Sequence, residues 1–147
     1  VYRDRLLPLA DYACPNVHEL GWLTGMPVGT PEECAVAARS LGLRGVFVTS
    51  VEVDGGIGIL ACDGSDAQLA LSPKVPGAYY GAGDVTAALL LARLLAGDAL
   101  APAAAIATGA TTALAAEARR LGRDDLPVIS GATCWQAAPP AALRPVG

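Results

Sequence analysis

The sequence predicts an α/β protein in which helices flank a layered sheet. A β-branched apolar run, GVFVTSVEV, is typical of a strand that is buried on both faces. GIGILAC and AQLALS follow around a DGSD turn, which is the pattern of a β-hairpin. Helix signals lie before and after these strands. The predicted strands are few for a free-standing sheet that is covered on both faces.

Cap residues divide the amino-terminal part of the chain. The segment LPLADYACPN predicts the end of a helix and then a short strand that stops at Pro15. Asn16 begins the next helix, which Gly25 ends. Thr30 is the predicted N-cap of a further helix that runs to Gly42, with proline in its first turn.

The second half of the chain predicts mainly helices. We expect one helix from about Val85 to Leu95 and a long alanine-rich helix that continues to about Leu121. One last strand is expected near 128–129. The Ala/Pro-rich tail over 138–147 is expected to be loosely ordered.

Composition and charge argue against several classes of protein. Of the 147 residues, 53% are hydrophobic and 16% are charged, which favours a folded domain with a core over a disordered chain. The net charge of −4, without a basic run, argues against a nucleic-acid partner. The four cysteines form no CxxC pair and there is one histidine, which argues against a Cys/His zinc site. Because no signal peptide opens the sequence, we expect a reduced, cytoplasmic protein.

The stretch from 99 to 116 carries no charge, and its length is near the ~18 residues that suggest a membrane helix. It consists mostly of alanine and threonine, and Pro102 and Gly109 interrupt it. Alanine contributes little to membrane insertion. We therefore expect a buried, closely packed helix and no membrane partner.

The segment GAGDVTAALLLARLL places a glycine-rich turn, Gly81 to Asp84, directly before a helix. Glycines let the backbone aim its N–H groups at one point, and a helix amino terminus adds partial positive charge. Such a turn can hold phosphate oxygens, and Asp84 could accept the proton of a hydroxyl that attacks phosphorus. The alternative is that Asp84 only caps the helix. The chain contains no GxxxxGK[ST] motif, which excludes a Walker-type phosphate loop.

Two further pairs of polar residues are candidates. Asn16 and Glu19, three residues apart at a helix start, could organise Mg²⁺ through water molecules. The same spacing also forms a capping box. Thr49 and Ser50 follow an apolar strand run, where hydroxyl groups often face the ligand crevice of an α/β sheet. The alternative for Thr49 is that it only satisfies strand propensity.

In order along the chain, ADYACPNVHELGWLTG, GVFVTSVEV and GAGDVTAALLLARLL resemble the carboxyl-terminal half of the pyridoxal kinases, which belong to the ribokinase-like superfamily. The resemblance covers roughly residues 3 to 137 and is specific in the GAGD segment. Related hydroxymethylpyrimidine kinases usually have cysteine at the aspartate position, so Asp84 favours the pyridoxal branch. The implied fold is the carboxyl-terminal half of a ribokinase-like fold, with a nucleotide-binding and catalytic part over 1–137 and a tail over 138–147.

This resemblance gives the glycine turn a role. It implies that Asp84 is the base that deprotonates the 5′-hydroxymethyl group of the vitamin. Gly81, Ala82 and Gly83 are then the anion hole for the γ-phosphate of ATP. Some relatives have threonine in place of Ala82.

The two polar pairs also match positions of that family. Asn16 and Glu19 correspond to residues that organise Mg²⁺ and phosphates, and Thr49 and Ser50 correspond to positions near the ATP phosphates. Many relatives have threonine in place of Cys14.

The implied function is ATP-dependent phosphorylation of pyridoxal, pyridoxine or pyridoxamine in the salvage of pyridoxal 5′-phosphate. The full-length enzyme is expected to be a cytoplasmic homodimer. Members of the family are much longer, and the half that carries most of the pyridoxal pocket is expected to be missing here, which explains the low strand count. Two alternatives remain: a non-catalytic nucleotide-binding or structural fragment, and a kinase for hydroxymethylpyrimidine or a sugar.

Overall fold

The computed structural model describes residues 2–147, and its five strands form one sheet in chain order. The strands are β1 (Tyr12–Ala13), β2 (Gly45–Val53), β3 (Gly56–Cys62), β4 (Ala67–Pro73) and β5 (Ala142–Pro145). β1 pairs in parallel with β2, and every other neighbouring pair is antiparallel. The predicted layered α/β class and the predicted hairpin are therefore confirmed.

Helices precede and follow the strands as the cap signals predicted. They are α1 (Val17–Thr24), α2 (Pro31–Ser40), α3 (Ala82–Leu95), α4 (Leu100–Arg120) and α5 (Ala132–Gln136). Asn16 and Thr30 cap α1 and α2 through reciprocal bonds with the third residue of each helix. Gly25 ends α1 at a φ of +70°, a conformation that glycine adopts at little cost. Short helical turns, Tyr2–Leu6 and Leu7–Leu9, precede β1.

Two apolar layers lie on opposite faces of the sheet. Val46, Val48 and Leu60 pack on one face with buried residues of α1 and α2. Phe47 and Ile59, which adjoin these residues along the strands, pack on the other face with α3 and α4. Because successive side chains of a strand point to opposite faces, an apolar run such as GVFV requires both helical layers.

Helix α4 is a packed interior helix, as predicted. Its small residues bury one long face against β3, β4, α3 and α5. Pro102 lies in its first turn, where its missing N–H leaves no helical bond unmade. Within the part of the chain described, none of the helices combines the length and the apolar character that crossing a bilayer requires.

The carboxyl-terminal segment differs from the prediction. The strand expected near 128–129 is wrong, because a turn leads there into α5. The expected loose tail is also wrong, because β5 pairs with β4 and the amide of Val146 donates to the carbonyl of Ala67 at 2.9 Å. The tail is ordered because it covers an edge of β4 that would otherwise expose unpaired backbone groups.

The hairpin turn between β3 and β4 depends on one carboxylate. Asp63 Oδ1 accepts hydrogen bonds from the amides of Ser65 and Asp66, each at 2.7 Å. These bonds, with the one from Asp66 contributing most, hold the pKa of Asp63 below its usual value. The ionised carboxylate therefore stabilises the folded turn.

Asp63→Ala is expected to lower the free energy of unfolding by about 1 kcal/mol at pH 7, since it removes solvent-screened hydrogen bonds. The folded pKa is lowered, so this stabilisation is present above the unfolded carboxyl pKa of about 3.9 and is lost as pH falls toward the folded pKa. Urea unfolding at pH 7 and at about pH 3 measures it, with the exposed Asp11→Ala as control. A difference of equal size at both pH values would contradict the prediction.

Candidate active site

The carboxyl end of β1 lies beside the first half of β2. Their parallel register, Tyr12 with Gly45, continues beyond the strand β1 to a bridge between Asn16 and Thr49. The amide of Thr49 donates to the carbonyl of Pro15 at 2.9 Å. The structure thus places Asn16, which follows β1, beside Thr49, which lies within β2. Asn16 is at the carboxyl end of a parallel strand, the kind of position at which α/β sheets bind ligands.

A β-bulge separates Thr49 and Ser50 from the ladder with β3. The pairing of β2 with β3 shifts register between Val48 and Val51, and Ser50 has a φ of +61°. A residue with a side chain pays roughly 1 kcal/mol or more for this left-handed conformation. Bulges of this kind re-aim side chains and are common beside active sites. The sequence predicted the strand and its hydroxyl groups but not the bulge.

Helix α3 begins three residues before the expected Val85. Gly81 is its N-cap with a φ of +82°, a conformation that requires glycine, and no side chain caps this helix by a hydrogen bond. Asp84 is therefore the third residue of the helix. The alternative that Asp84 only caps the helix is not supported, because its side chain makes no capping hydrogen bond. Its side chain is exposed.

The first turn of α3 leaves backbone donors free. The amides of Gly83 and Asp84 donate to no acceptor among the described residues, whereas the amide of Ala82 makes one long bond of 3.4 Å to Tyr79. A β-carbon at Gly83 would meet no atom within 4 Å, so the space beside these amides is open. With the helix dipole, two free N–H groups form a site for an anion.

A cleft of about 150 Å³ joins the bulge to the start of α3. Thr49 and Ser50 line one side of it, and Ala82 and Gly83 line another. The remaining lining residues are Ile57, Gly58, Ile59, Thr86, Thr108, Thr111 and Thr112. The structure therefore brings together four of the residues predicted for the site. Gly81 shapes the turn, while Asp84 stands next to the cleft without lining it.

Sequence reasoning missed the threonines that close this cleft. Thr86 on α3 and Thr111 on α4 share a hydrogen bond between their hydroxyl groups at 3.1 Å. Thr108 and Thr112 on α4 line the same space. The signal was present, since positions 108, 111 and 112 have the spacing of one helix face within an otherwise alanine-rich run.

Asn16 and Glu19 form the capping box that was the alternative reading of their spacing. The Asn16 amide donates to Glu19 Oε2 at 2.8 Å, and the Glu19 amide donates to Asn16 Oδ1 at 2.9 Å. Asn16 adjoins Thr49, but Glu19 lines a different cleft of about 550 Å³ together with Cys14. Burial, assisted by the Glu19 carboxylate, raises the pKa of Cys14 to about 11, so this thiol stays protonated at neutral pH.

These two residues fit a magnesium ion that keeps most of its water. An amide oxygen and a carboxylate are hard donors of the kind Mg²⁺ prefers. In residues 2–147 no three His, Cys, Asp or Glu side chains gather into a group that could hold a metal ion alone. The donors present therefore suit an ion that is held through water and phosphate oxygens rather than by a protein cage.

Known proteins share both the sequence and the fold. The pyridoxal kinase of Leifsonia xyli subsp. xyli is 44% identical over 97 residues, which cover 61% of this chain and 34% of that protein. The pyridoxal kinase of Rubrobacter xylanophilus is 34% identical over 136 residues, which cover 87% of this chain and 47% of that protein. The structure of Leishmania donovani pyridoxal kinase in complex with ADP and pyridoxamine superposes with a TM-score of 0.86 at 28% identity.

The chain matches only part of the length of each of these proteins. The Leishmania superposition covers 99% of this chain and 55% of the other, so the chain has part of that ribokinase-like fold. It spans about a third to a half of the length of the curated relatives it matches. Residues 2–123 match the pfkB family of carbohydrate kinases, which is most of the chain. The chain therefore belongs to the pfkB carbohydrate kinase family.

Proposed function

We propose that residues 1–137 are the nucleotide-binding and catalytic part of a pyridoxal kinase, which transfers the γ-phosphate of ATP to the 5′-hydroxymethyl group of pyridoxal, pyridoxine or pyridoxamine. The observation that carries the proposal is the cleft in which the Thr49–Ser50 bulge faces the free amides at the start of α3, with Asp84 exposed beside it. An anion site next to a free carboxylate is what transfer of a phosphoryl group to an alcohol requires.

The chemistry follows from these groups. The alcohol oxygen bonds to the γ-phosphorus while the bond from that phosphorus to the bridging oxygen of ADP breaks. The Asp84 carboxylate accepts the alcohol proton, and the amides of Gly83 and Asp84 hold the phosphoryl oxygens. The anion hole expected at 81–83 is thus proposed one residue further along the chain. Catalysis consists of positioning and electrostatic stabilisation, without a covalent enzyme intermediate.

Mg²⁺ would be held by Asn16 and Glu19 through water, together with the phosphates, and would neutralise phosphate charge when bound. Thr49 joins this pair to the cleft, because its backbone bridges Asn16. We further propose a cytoplasmic enzyme that is a homodimer in its full-length form. Relatives named as pyridoxal kinases support the vitamin as acceptor, and the Leishmania enzyme binds ADP and pyridoxamine.

A second candidate is a non-catalytic fragment that keeps the nucleotide groove. The chain covers 34% and 47% of the two curated relatives above. Such a fragment would bind Mg·ATP without phosphorylating pyridoxal.

Calorimetric titration of the chain with Mg·ATP is expected to show binding, and Gly83→Val is expected to abolish it. A valine at this position would fill the open space beside the amides, and its β-carbon would contact no atom beyond the adjacent residues and backbone of its own helix within 4 Å. The variant should therefore keep its melting temperature within a few degrees, allowing for the lower helix propensity of valine.

Two outcomes decide between the candidates. Product formation when pyridoxal is added supports the kinase, and nucleotide binding without product supports the fragment. Absence of Mg·ATP binding by the parent chain would contradict both candidates, and unchanged binding by Gly83→Val would contradict the assignment of the amides.

A further inference from the structure

Thr108 is the buried polar side chain that the proposed chemistry leaves unexplained. It is 5% exposed and lies on α4 at the cleft. Its Oγ1 has no hydrogen-bond partner among residues 2–147, although the neighbouring hydroxyls of Thr86 and Thr111 bond to each other. A hydroxyl group in this position has lost its water without gaining a partner.

An unpaired buried hydroxyl destabilises a protein and so needs a reason. A threonine in a helix commonly bonds the carbonyl four residues earlier, which would satisfy it locally. Thr108 does not make that bond, and its neighbours Ala107 and Gly109 show that small apolar residues suit this part of α4. Because Thr108 lines the cleft, a ligand that enters there could supply the missing partner.

We propose that Thr108 is a ligand-contacting residue whose hydroxyl hydrogen-bonds a phosphate oxygen of the nucleotide, an inference that rests on the proposed function. The described residues that line the cleft include no charged side chain, so the cleft offers hydroxyls and the backbone donors of α3. Donors of this kind, beside a helix amino terminus, suit an anion.

The position of Asp84 assigns the cleft to the nucleotide and not to the acceptor. The acceptor alcohol must reach the Asp84 carboxylate, which does not line the cleft, whereas Ala82 and Gly83 do. The space on the other side of the amides therefore receives the phosphate-bearing donor. Thr108 then sets nucleotide affinity and leaves the acceptor contacts unchanged.

Thr108→Val removes the hydroxyl and keeps the shape of the side chain. We expect it to weaken the binding of Mg·ADP and of inorganic pyrophosphate by about threefold to tenfold in calorimetric titrations of the whole chain, as loss of one hydrogen bond predicts. The melting temperature of the unliganded protein should rise or stay the same, because valine buries no unpaired group. Thr108→Ser should bind like the parent, and Thr133→Val, at an exposed position of α5, is the control.

A Thr108→Val protein that binds both ligands like the parent overturns this inference and leaves the proposed function standing. So does a variant that is clearly less stable, since the hydroxyl would then have a structural role. Weaker binding of Mg·ADP with unchanged binding of pyrophosphate would overturn the phosphate contact. If the parent chain binds neither ligand, the proposed function fails as well, an outcome distinct from the other three.

Discussion

Asp84→Asn is expected to lower kcat by about 10²- to 10⁴-fold, which is the usual contribution of a general base. The test protein is a chimera in which this chain replaces the matching 136 residues of the Rubrobacter xylanophilus kinase, with pyridoxal and Mg·ATP as substrates. Asparagine keeps the size of the side chain and cannot take up the proton of the alcohol. Because the base acts in the transition state, kcat and kcat/KM should fall together while KM for ATP changes little.

The control for this variant is Asp66→Asn, an exposed carboxylate in the β3–β4 turn that should leave turnover unchanged. Circular dichroism of the chimera and of both variants checks that they fold alike. Turnover within a few-fold of the parent chimera would remove Asp84 as the base. The anion site at the start of α3 would then remain, but Asp84 would not be the group that accepts the proton of the alcohol.

Local sequence signals were sufficient to predict most of the helices and strands. Asn16 and Thr30 make bonds with the third residue of the helix that each begins, so the rule that predicts them involves only adjacent turns. The run GVFV needs no more than its own apolar pattern to predict burial on both faces. Where the residues that determine an element lie within or next to that element, its structure can be predicted from the sequence.

The tail could not be predicted in this way, because its order comes from a distant partner. Leu143 pairs with Ala70 of β4, far away along the chain, and nothing within the Ala/Pro-rich segment indicates that partner. The short run at 128–129 has strand propensity, but it pairs with none of the five strands, and α5 follows instead. Tertiary contacts therefore determine the structure of both segments.

The candidate site was predicted in its parts and not in its assembly. The GAGD turn and the Thr49–Ser50 pair were each predicted as candidates, but only the structure shows the cleft that joins them. The left-handed φ of Ser50 and the unpaired hydroxyl of Thr108 conflict with local preference. Such conflicts tend to occur at functional sites, which is why local rules fail there.

Gly109→Ala is expected to lower the free energy of unfolding by about 2–4 kcal/mol, although the same change inside a helix ordinarily stabilises by about 1 kcal/mol. The sign reverses because a β-carbon at Gly109 would clash with the carbonyl oxygen of Pro139, well inside van der Waals contact. That segment cannot easily move aside, since the amide of Ala141 donates to the carbonyl of Ala105 at 2.8 Å, about one turn earlier on α4. The added methyl must therefore push the chain away just before it enters β5.

Urea unfolding measures the loss of stability, and amide hydrogen exchange shows where it arises. Exchange should accelerate most in β5 and in the residues of β4 that pair with it, because displacement of Pro139 draws the last strand from the sheet. Gly64→Ala is the matched control, since a β-carbon there meets no atom within 4 Å and its stability should change by no more than about 0.5 kcal/mol. If Gly109→Ala proves as stable as the parent, α4 and the tail are not in backbone contact, and the ordered fifth strand would lose its anchor on the helix.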